Sequence, residues 1–193
     1  TLEKTIDKLS ASIQYAKRIQ NAILPNTEEI RACFEDAFVM NYPKDIVSGD
    51  FYWFRKIDDL LIMAAIDCTG HGVPGAFMTI LGSSTLDKIV HKDSITNPAQ
   101  ILQKLDKEIY AALEQKNEIN PNLREGMDIS VCVFDYQNQT FSFAGAKSRA
   151  FYFHHDQMTV LDGDKTSIGS QRKNEMTFST QQFDFEKGDK LYF

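Results

Sequence analysis

One stretch of the sequence decides the fold: LLIMAAIDCTGHGVPGAFMTIL, from Leu60 to Leu81. It opens with a continuous apolar run, which is typical of a strand that is covered on both faces. The run ends on an acid, Asp67, and a glycine-rich turn follows before an apolar pattern with helical spacing begins. The stretch therefore predicts a buried strand that delivers a carboxylate into a loop, where glycines let other groups come close.

A second acid lies at the start of the preceding predicted strand, VSGDFYWFRKI, where Asp50 follows a glycine. The pair Asp58 and Asp59 predicts a tight turn between the two strands. An antiparallel hairpin with that turn brings Asp50 beside Asp67. Neighbouring carboxylates repel unless they share a proton or a cation, and Mg²⁺ and Mn²⁺ prefer oxygen ligands. The pattern suggests a shared metal site, although an Asp next to a turn is also ordinary turn chemistry.

Composition limits the class of protein. The chain has 193 residues, 42% hydrophobic and 25% charged, which indicates one soluble globular domain or at most two small ones. Its net charge of −6 argues against nucleic acid as a partner. The three cysteines have no CxxC spacing, which favours reduced thiols. We therefore expect a cytoplasmic domain, in a full-length protein that an upstream segment could attach to a membrane.

The first segment, TLEKTIDKLSASIQYAKRIQNAIL, predicts one helix that ends before Pro25. Its apolar residues alternate in steps of four and three, with Gln20 filling one core position: Leu2, Ile6, Leu9, Ile13, Ala16 and Ile23. Two interpretations stay open. Residues 2–23 either pair with a second copy as a coiled coil or pack on their own domain. We assign residues 1–25 to a helical linker and residues 26–193 to a globular domain.

The rest of the chain predicts an α+β fold, with helices packed on an antiparallel sheet. The predicted helices run from about Val73 to Val90 and from Pro98, with Asn97 as the N-cap, and a polar loop, KNEINPNLREG, follows. The predicted strands outside the hairpin are FVMNYP, MDISVCVFD, TFSFAGA, RAFYFHH, QMTVLDG, NEMTFSTQQFDF and DKLYF.

Five segments in order resemble the SpoIIE-type branch of the metal-dependent protein phosphatase 2C family. They are VSGDFYW, IDCTGHGVPGAFMT, GMDISVCVFD, FSFAGA and DKTSIG. The segment SIQYAKRIQNAILP also resembles the helical linker that precedes this domain in bacterial stress-response phosphatases. The resemblance implies that residues 26–193 are a SpoIIE-type phosphatase domain. It also implies an αββα sandwich with two Mn²⁺ or Mg²⁺ ions at one edge.

The resemblance also implies roles for individual residues. Asp67 matches the acid that bridges both metals, Asp50 the acid that helps to hold one of them, and Cys68 a position whose backbone carbonyl is a ligand. The implied reaction is attack of metal-activated water on a phosphoserine or phosphothreonine of a partner protein. A STAS-type anti-sigma-factor antagonist is the implied substrate, and a sensor domain upstream in the same chain is the implied regulator.

Three further residues each have two interpretations. His71, four residues after Asp67, is either a general acid or phosphate contact, or a structural loop residue. Lys44 either neutralises the phosphate of the substrate or is a solvated surface lysine. Asp128 begins the strand MDISVCVFD close to where the family places an accessory metal acid, and is otherwise a plain acid at a strand end.

The chain departs from the family pattern at its end. The family completes the second metal with acids that follow the strand DKLYF, and this sequence stops at Phe193. We therefore expect the full-length protein to be the enzyme, and residues 1–193 alone to bind metal weakly with little or no activity. Two alternatives remain open: a pseudophosphatase that serves as a binding module, and a dimerisation scaffold in which the coiled coil is the main function.

Overall fold

A computed structural model of the chain describes residues 2–114, 125–170 and 176–193. Most of the predicted loop KNEINPNLREG lies outside the described residues, as do the first two residues of the segment NEMTFSTQQFDF. The described helices are α1 (Leu2–Ile23), α2 (Thr27–Arg31), α3 (Gly72–Asp87) and α4 (Pro98–Glu114), with a π-helical turn at Lys88–Lys92. The described strands are β1 (Asp50–Ile57), β2 (Leu60–Cys68), β3 (Met127–Asp135), β4 (Thr140–Ala146), β5 (Arg149–His154), β6 (Gln157–Asp162), β7 (Gln181–Asp184) and β8 (Lys190–Tyr192).

The strands form two antiparallel sheets, one with the order β1-β2-β3-β4-β7 and one with the order β6-β5-β8. Helices α3 and α4 pack on one face of the five-stranded sheet, and α1 packs on α3. The three-stranded sheet covers the other face through a second apolar cluster, which contains Phe141, Phe143 and Tyr152. The α+β class with helices on antiparallel sheets is confirmed.

Strand β2 contributes apolar side chains to the clusters on both faces of the five-stranded sheet. Ile62 and Ala64 belong to the cluster under the helices, whereas Leu61 and Met63 face the cluster between the sheets. Neither Leu61 nor Ile62 has solvent-accessible surface. The strand that carries Asp67 is therefore held from both sides, as the apolar run predicts.

The predicted helix boundaries are largely confirmed. Helix α3 begins at Gly72, one residue before the prediction, and its last predicted residues continue as the π-helical turn. Helix α4 begins at Pro98, and the Asn97 side chain accepts a hydrogen bond from the backbone N–H of Gln100 at 3.1 Å. That bond satisfies one of the free N–H groups at the helix start.

Two strand predictions are wrong in part or in full. The segment FVMNYP forms no strand with the described residues, since Met40 and Tyr42 are exposed and Pro43 has no N–H to donate. In NEMTFSTQQFDF only β7 is a strand. The backbone N–H of Ser179 donates to the Asp164 side chain at 2.8 Å instead of to a neighbouring strand.

Helix α1 divides into two parts with different surroundings. Its first part leaves Leu2, Ile6 and Leu9 exposed, whereas Gln20 near its end is buried. The end of the helix packs on the domain, as one interpretation of the heptad pattern predicts. The start of the helix carries an apolar seam that is exposed in the single chain. Pairing through residues 2–23 stays a prediction. Within the described residues no helix is long and apolar enough to span a membrane.

Candidate metal centre

Three aspartates stand side by side at one end of the five-stranded sheet. In the β1–β2 register Asp50 faces Asp67, and in the β2–β3 register Asp67 faces Asp128. Directly opposed residues of antiparallel strands have their side chains on the same face. The hairpin geometry predicted for Asp50 and Asp67 is therefore present, and Asp128 extends it to an aspartate row of three.

The aspartate row opens into a cleft of about 280 Å³. The lining residues include all three aspartates, Ser148, and the consecutive residues Met40, Asn41 and Tyr42. Met40 and Tyr42 are 72% and 86% exposed, so the rim on that side is apolar and open. The cleft has room for ions and for a phosphate group beside the carboxylates.

Electrostatics at the aspartate row favour a bound cation. Although Asp67 stays partly open to solvent, burial raises its pKa, and the Asp50 charge, a hydrogen bond with Asp50 and the Asp128 charge raise it further. Lys147 opposes this shift only in part. Ionised together, the three groups repel one another, and a divalent cation would remove that repulsion. The oxygen-only donor set fits Mg²⁺ or Mn²⁺.

Two residues that sequence analysis missed hold Asp128. Lys147, in the turn after β4, places its Nζ 3.1 Å from Asp128 Oδ2. Ser167 donates a hydrogen bond from its Oγ to Asp128 Oδ1 at 2.5 Å. Both come from loops far along the chain. The sequence offers one weak indication of the Lys147 contact. Lys147 directly follows β4, which runs antiparallel to β3, so it lies at the end of the sheet where Asp128 is found.

Glycines bring the two strand ends together, as predicted. A Cβ atom on Gly49 would lie 2.5 Å from the carbonyl oxygen of Gly70 and 3.2 Å from that of Cys68. Gly70 itself has φ of +91°, a backbone conformation that residues other than glycine rarely adopt. The backbone before Asp50 therefore touches the backbone after Asp67, and this contact sets the spacing of the two carboxylates.

The Cys68 thiol points away from the aspartate row. It is 2% exposed within the cluster under the helices. Burial raises the pKa of the thiol to about 12, with smaller contributions from the Asp67 and Asp50 charges. The side chain is therefore a neutral core group, and the use of its backbone carbonyl as a metal ligand stays a prediction.

Two candidates lie outside the lining of the cleft. The His71 Nδ1 atom is 2.6 Å from Asp45 Oδ2, at the N-terminus of α3, and its side chain is 64% exposed. Sequence analysis did not single out Asp45. Lys44, next to it in the chain, is exposed. The catalytic roles of His71 and Lys44 stay predictions.

The end of α1 reaches the start of β1 through Gln20. Its side-chain amide donates to the Ser48 carbonyl at 2.6 Å and accepts from the Ser48 N–H at 3.0 Å. Ser48 Oγ in turn accepts a hydrogen bond from the Asp50 N–H at 3.0 Å. Thr79 of α3 closes the network through a hydrogen bond from Gln20 at 3.3 Å. Helix α1 is thus joined to Ser48, the residue before Gly49 and Asp50.

A family model described as Stage II sporulation protein E (SpoIIE) matches residues 58–193. The chain belongs to the SpoIIE family. The matched stretch contains Asp67 and Asp128 of the aspartate row, whereas Asp50 lies eight residues before it. The resemblance drawn from the five sequence segments is confirmed.

Among curated proteins, this SpoIIE-family chain is similar to the phosphoserine phosphatase RsbU of Bacillus subtilis (strain 168), with 24% identity over 200 residues. The alignment covers 99% of this chain and 54% of RsbU, so the chain spans about half the length of that relative.

Among solved structures, the chain is similar to the SiaA-PP2C domain of Pseudomonas aeruginosa, with 28% identity and a TM-score of 0.80, over 96% of this chain and 70% of that one. It also resembles RsbX in complex with magnesium, with 16% identity and a TM-score of 0.52, over 75% of this chain and 64% of that one. The phosphatase 2C-like fold predicted for this SpoIIE-family member is confirmed.

Proposed function

We propose that this protein hydrolyses phosphoserine or phosphothreonine on a partner protein, with two Mn²⁺ or Mg²⁺ ions bound around Asp67. The observation that carries the proposal is the aspartate row, in which Asp50, Asp67 and Asp128 line one cleft from three adjacent strands. Similarity to the phosphoserine phosphatase RsbU and to the SiaA-PP2C domain supports this reaction. Similarity to RsbX, solved with magnesium, supports a divalent ion.

We propose a role for each residue of the site from its position in the aspartate row. Asp67, in the middle of the row, would hold both ions, while Asp50 and the Cys68 carbonyl would hold one of them and Asp128 would be an accessory ligand. Divalent ions supply Lewis acidity, because they lower the pKa of the attacking water and offset charge on the phosphoryl oxygens. For the phosphate contact we propose Lys147 rather than Lys44, since Lys147 already lies within 3.1 Å of Asp128.

The open rim favours a protein as the substrate. Met40 and Tyr42 form an exposed apolar edge directly beside the carboxylates. Exposed aromatic and Met side chains are enriched at protein interfaces. We propose a phosphorylated STAS-type anti-sigma-factor antagonist as the partner, in the cytoplasm. An upstream sensor in the same chain would act on the cleft through the contact between α1 and Ser48.

The test of this function is release of phosphate from a phosphorylated STAS-type protein by the full-length protein with Mn²⁺. We expect Asp50→Asn to lower kcat/KM by about 100-fold or more, because loss of an ion at the reacting phosphate removes several kcal/mol of charge stabilisation. The matched control is Asp59→Asn, in the turn at the opposite end of the same hairpin. Equal rates for wild type and Asp50→Asn would refute the phosphatase proposal and favour a binding module.

The exposed seam of α1 leads to a prediction about self-association. We expect the wild-type chain to dimerise through Ile6, Leu9 and Ile13, because pairing would cover the exposed Ile6 and Leu9 and the open part of the half-buried Ile13. Ile6→Asp combined with Ile13→Asp should shift the sedimentation coefficient to that of a monomer. Ala11→Asp, on the opposite face, should not. A wild-type chain that sediments as a monomer at high concentration would contradict the dimer.

A further inference from the structure

A second cluster of potential metal ligands lies at the other end of the two sheets. It contains His154 at the end of β5, His155 in the turn that follows, and Glu186 between β7 and β8. One ligand atom from each residue lies within 4.8 Å of the others. The His155 Nε2 atom is 2.8 Å from Glu186 Oε1, and the His154 Nε2 atom is 3.8 Å from the same oxygen.

The sheet register separates this cluster from the aspartate row. In β4, Ala146 pairs with the start of β3 near Asp128, whereas Thr140 pairs with Asp184, two residues before Glu186. Six residue steps along β4 therefore lie between the two ends. At about 3.3 Å per residue this corresponds to roughly 20 Å. An ion at the histidine cluster would share no ligand with the aspartate row.

A buried carboxylate orients the first histidine. Both Asp189 oxygens lie 3.1 Å from His154 Nδ1, and the Asp189 side chain is only 8% exposed. Asp189 is itself fixed by hydrogen bonds from the Tyr152 hydroxyl at 2.6 Å and from the Glu186 N–H at 3.0 Å. With Nδ1 donating to Asp189, the lone pair of His154 is on Nε2, the atom that lies 3.8 Å from Glu186 Oε1. Histidine ligands of metals characteristically donate their other ring N–H to a carboxylate in this way.

The donor set indicates the class of ion. Two imidazoles and one carboxylate suit Zn²⁺ and related transition metals, whereas Mg²⁺ and Mn²⁺ prefer oxygen ligands. Zinc bonds to such ligands are about 2.0–2.2 Å long, so a tetrahedral site needs ligand atoms about 3.4 Å apart. The distances from Glu186 Oε1 to His155 Nε2 and to His154 Nε2, 2.8 Å and 3.8 Å, lie on either side of that value. The His155 and Glu186 side chains are 73% and 55% exposed, so an ion can enter from solvent.

We propose that His154, His155 and Glu186 bind one Zn²⁺-class ion, with Asp189 as the orienting residue behind His154. The ion would join the tip of the β5–β6 hairpin to the connection between β7 and β8. Because β7 belongs to the five-stranded sheet and β8 to the three-stranded sheet, the ion would fasten the crossing between the two sheets. This site is independent of the proposed phosphatase chemistry.

The test is a zinc titration of residues 1–193 in excess Mg²⁺, against a chromophoric zinc chelator, in the Asp67→Asn background. That background removes the middle aspartate of the row, so the remaining zinc equivalent reports the histidine cluster. We expect one equivalent of Zn²⁺, and at least about tenfold weaker binding after His155→Asn or Glu186→Gln. Asp189→Asn should weaken binding by about 10- to 100-fold, as other second-layer carboxylates do.

The variants are chosen to preserve the fold. His155 has φ of +47°, which asparagine tolerates better than most residues. In a metal chelator, His155→Asn should therefore leave the unfolding temperature nearly unchanged. On addition of Zn²⁺, the unfolding temperature should rise in the chain with His155 and not in His155→Asn. His91→Asn, at an exposed histidine elsewhere, is the matched control. Absence of a zinc equivalent, or undiminished binding in both His155→Asn and Glu186→Gln, would overturn the proposal.

Discussion

Asp67→Asn is expected to abolish Mn²⁺ binding at the aspartate row and, at neutral pH, to raise the unfolding temperature of the metal-free protein. The two effects have one cause. Asp67 is the middle carboxylate and faces both Asp50 and Asp128. Asparagine keeps its shape but removes the charge that attracts the cation and repels the two neighbours. A residue whose charge costs stability until a ligand arrives is typical of a functional site.

The sign of the stability effect follows from the pKa. Burial and the charges of Asp50 and Asp128 raise the pKa of Asp67 in the folded state. Folding therefore favours the protonated form, and this contribution to stability is lost as pH rises through the raised pKa. At neutral pH the ionised group is a net cost in the metal-free protein. Asp67→Asn should remove both the cost and this part of the pH dependence.

Thermal unfolding with and without Mn²⁺ measures both effects at once. An ion at about 100 times its Kd adds about 2.7 kcal/mol to the free energy of unfolding. In a protein of this size that corresponds to roughly 5–10 °C. Wild type should show this rise and Asp67→Asn should not. Asp58→Asn, in the turn at the far end of the hairpin, is the matched control. An equal Mn²⁺-dependent rise in Asp67→Asn would remove Asp67 from the metal site.

Gly49→Ala is expected to have the second largest effect. The new Cβ atom would lie 2.5 Å from the Gly70 carbonyl oxygen, a separation that real Cβ atoms do not show. The clash is with backbone, so the strand before Asp50 must move away from the loop after Asp67. Overpacking of this kind costs about 1–3 kcal/mol or more. We expect a lower unfolding temperature and weaker Mn²⁺ binding, because the spacing of the carboxylates changes.

The control for this variant is Gly188→Ala. Gly188 has φ of +98°, but nothing lies within 4 Å of a Cβ atom placed there. Alanine at that position therefore introduces backbone strain without a clash and far from the aspartate row. It should lower the unfolding temperature slightly and leave Mn²⁺ affinity unchanged. Unaltered Mn²⁺ affinity in Gly49→Ala would show that the contact between Gly49 and Gly70 does not set the metal geometry.

The part of the site that depends on neighbouring strands could be predicted from the sequence. A two-residue turn at Asp58 and Asp59 fixes the register of the hairpin, and the register in turn places Asp50 beside Asp67. The same reasoning applies to β2, whose continuous apolar run requires cover on both faces. Both inferences need only local chain geometry. The observed register and the packing of β2 on both faces confirm them.

The parts that depend on distant loops could not be predicted. Lys147 and Ser167 reach Asp128 from 19 and 39 residues away. Their positions depend on how β4 and the loop after β6 return to the sheet end. Gln20 looked like a polar interruption of a heptad, but its amide pairs with the Ser48 backbone inside the fold. The FVMNYP pattern has strand composition, yet no described strand offers it a partner.

The central claim is that Asp50, Asp67 and Asp128 together bind the divalent ions, and anomalous diffraction tests it most directly. Crystals of the 193-residue chain grown with Mn²⁺ would be measured at the manganese absorption edge. We expect an anomalous peak within coordination distance of Asp67 and of at least one neighbouring aspartate, at about 2.0–2.6 Å as for oxygen ligands of hard divalent cations. A crystal grown with excess Mn²⁺ that shows no anomalous peak at the aspartate row would contradict the account.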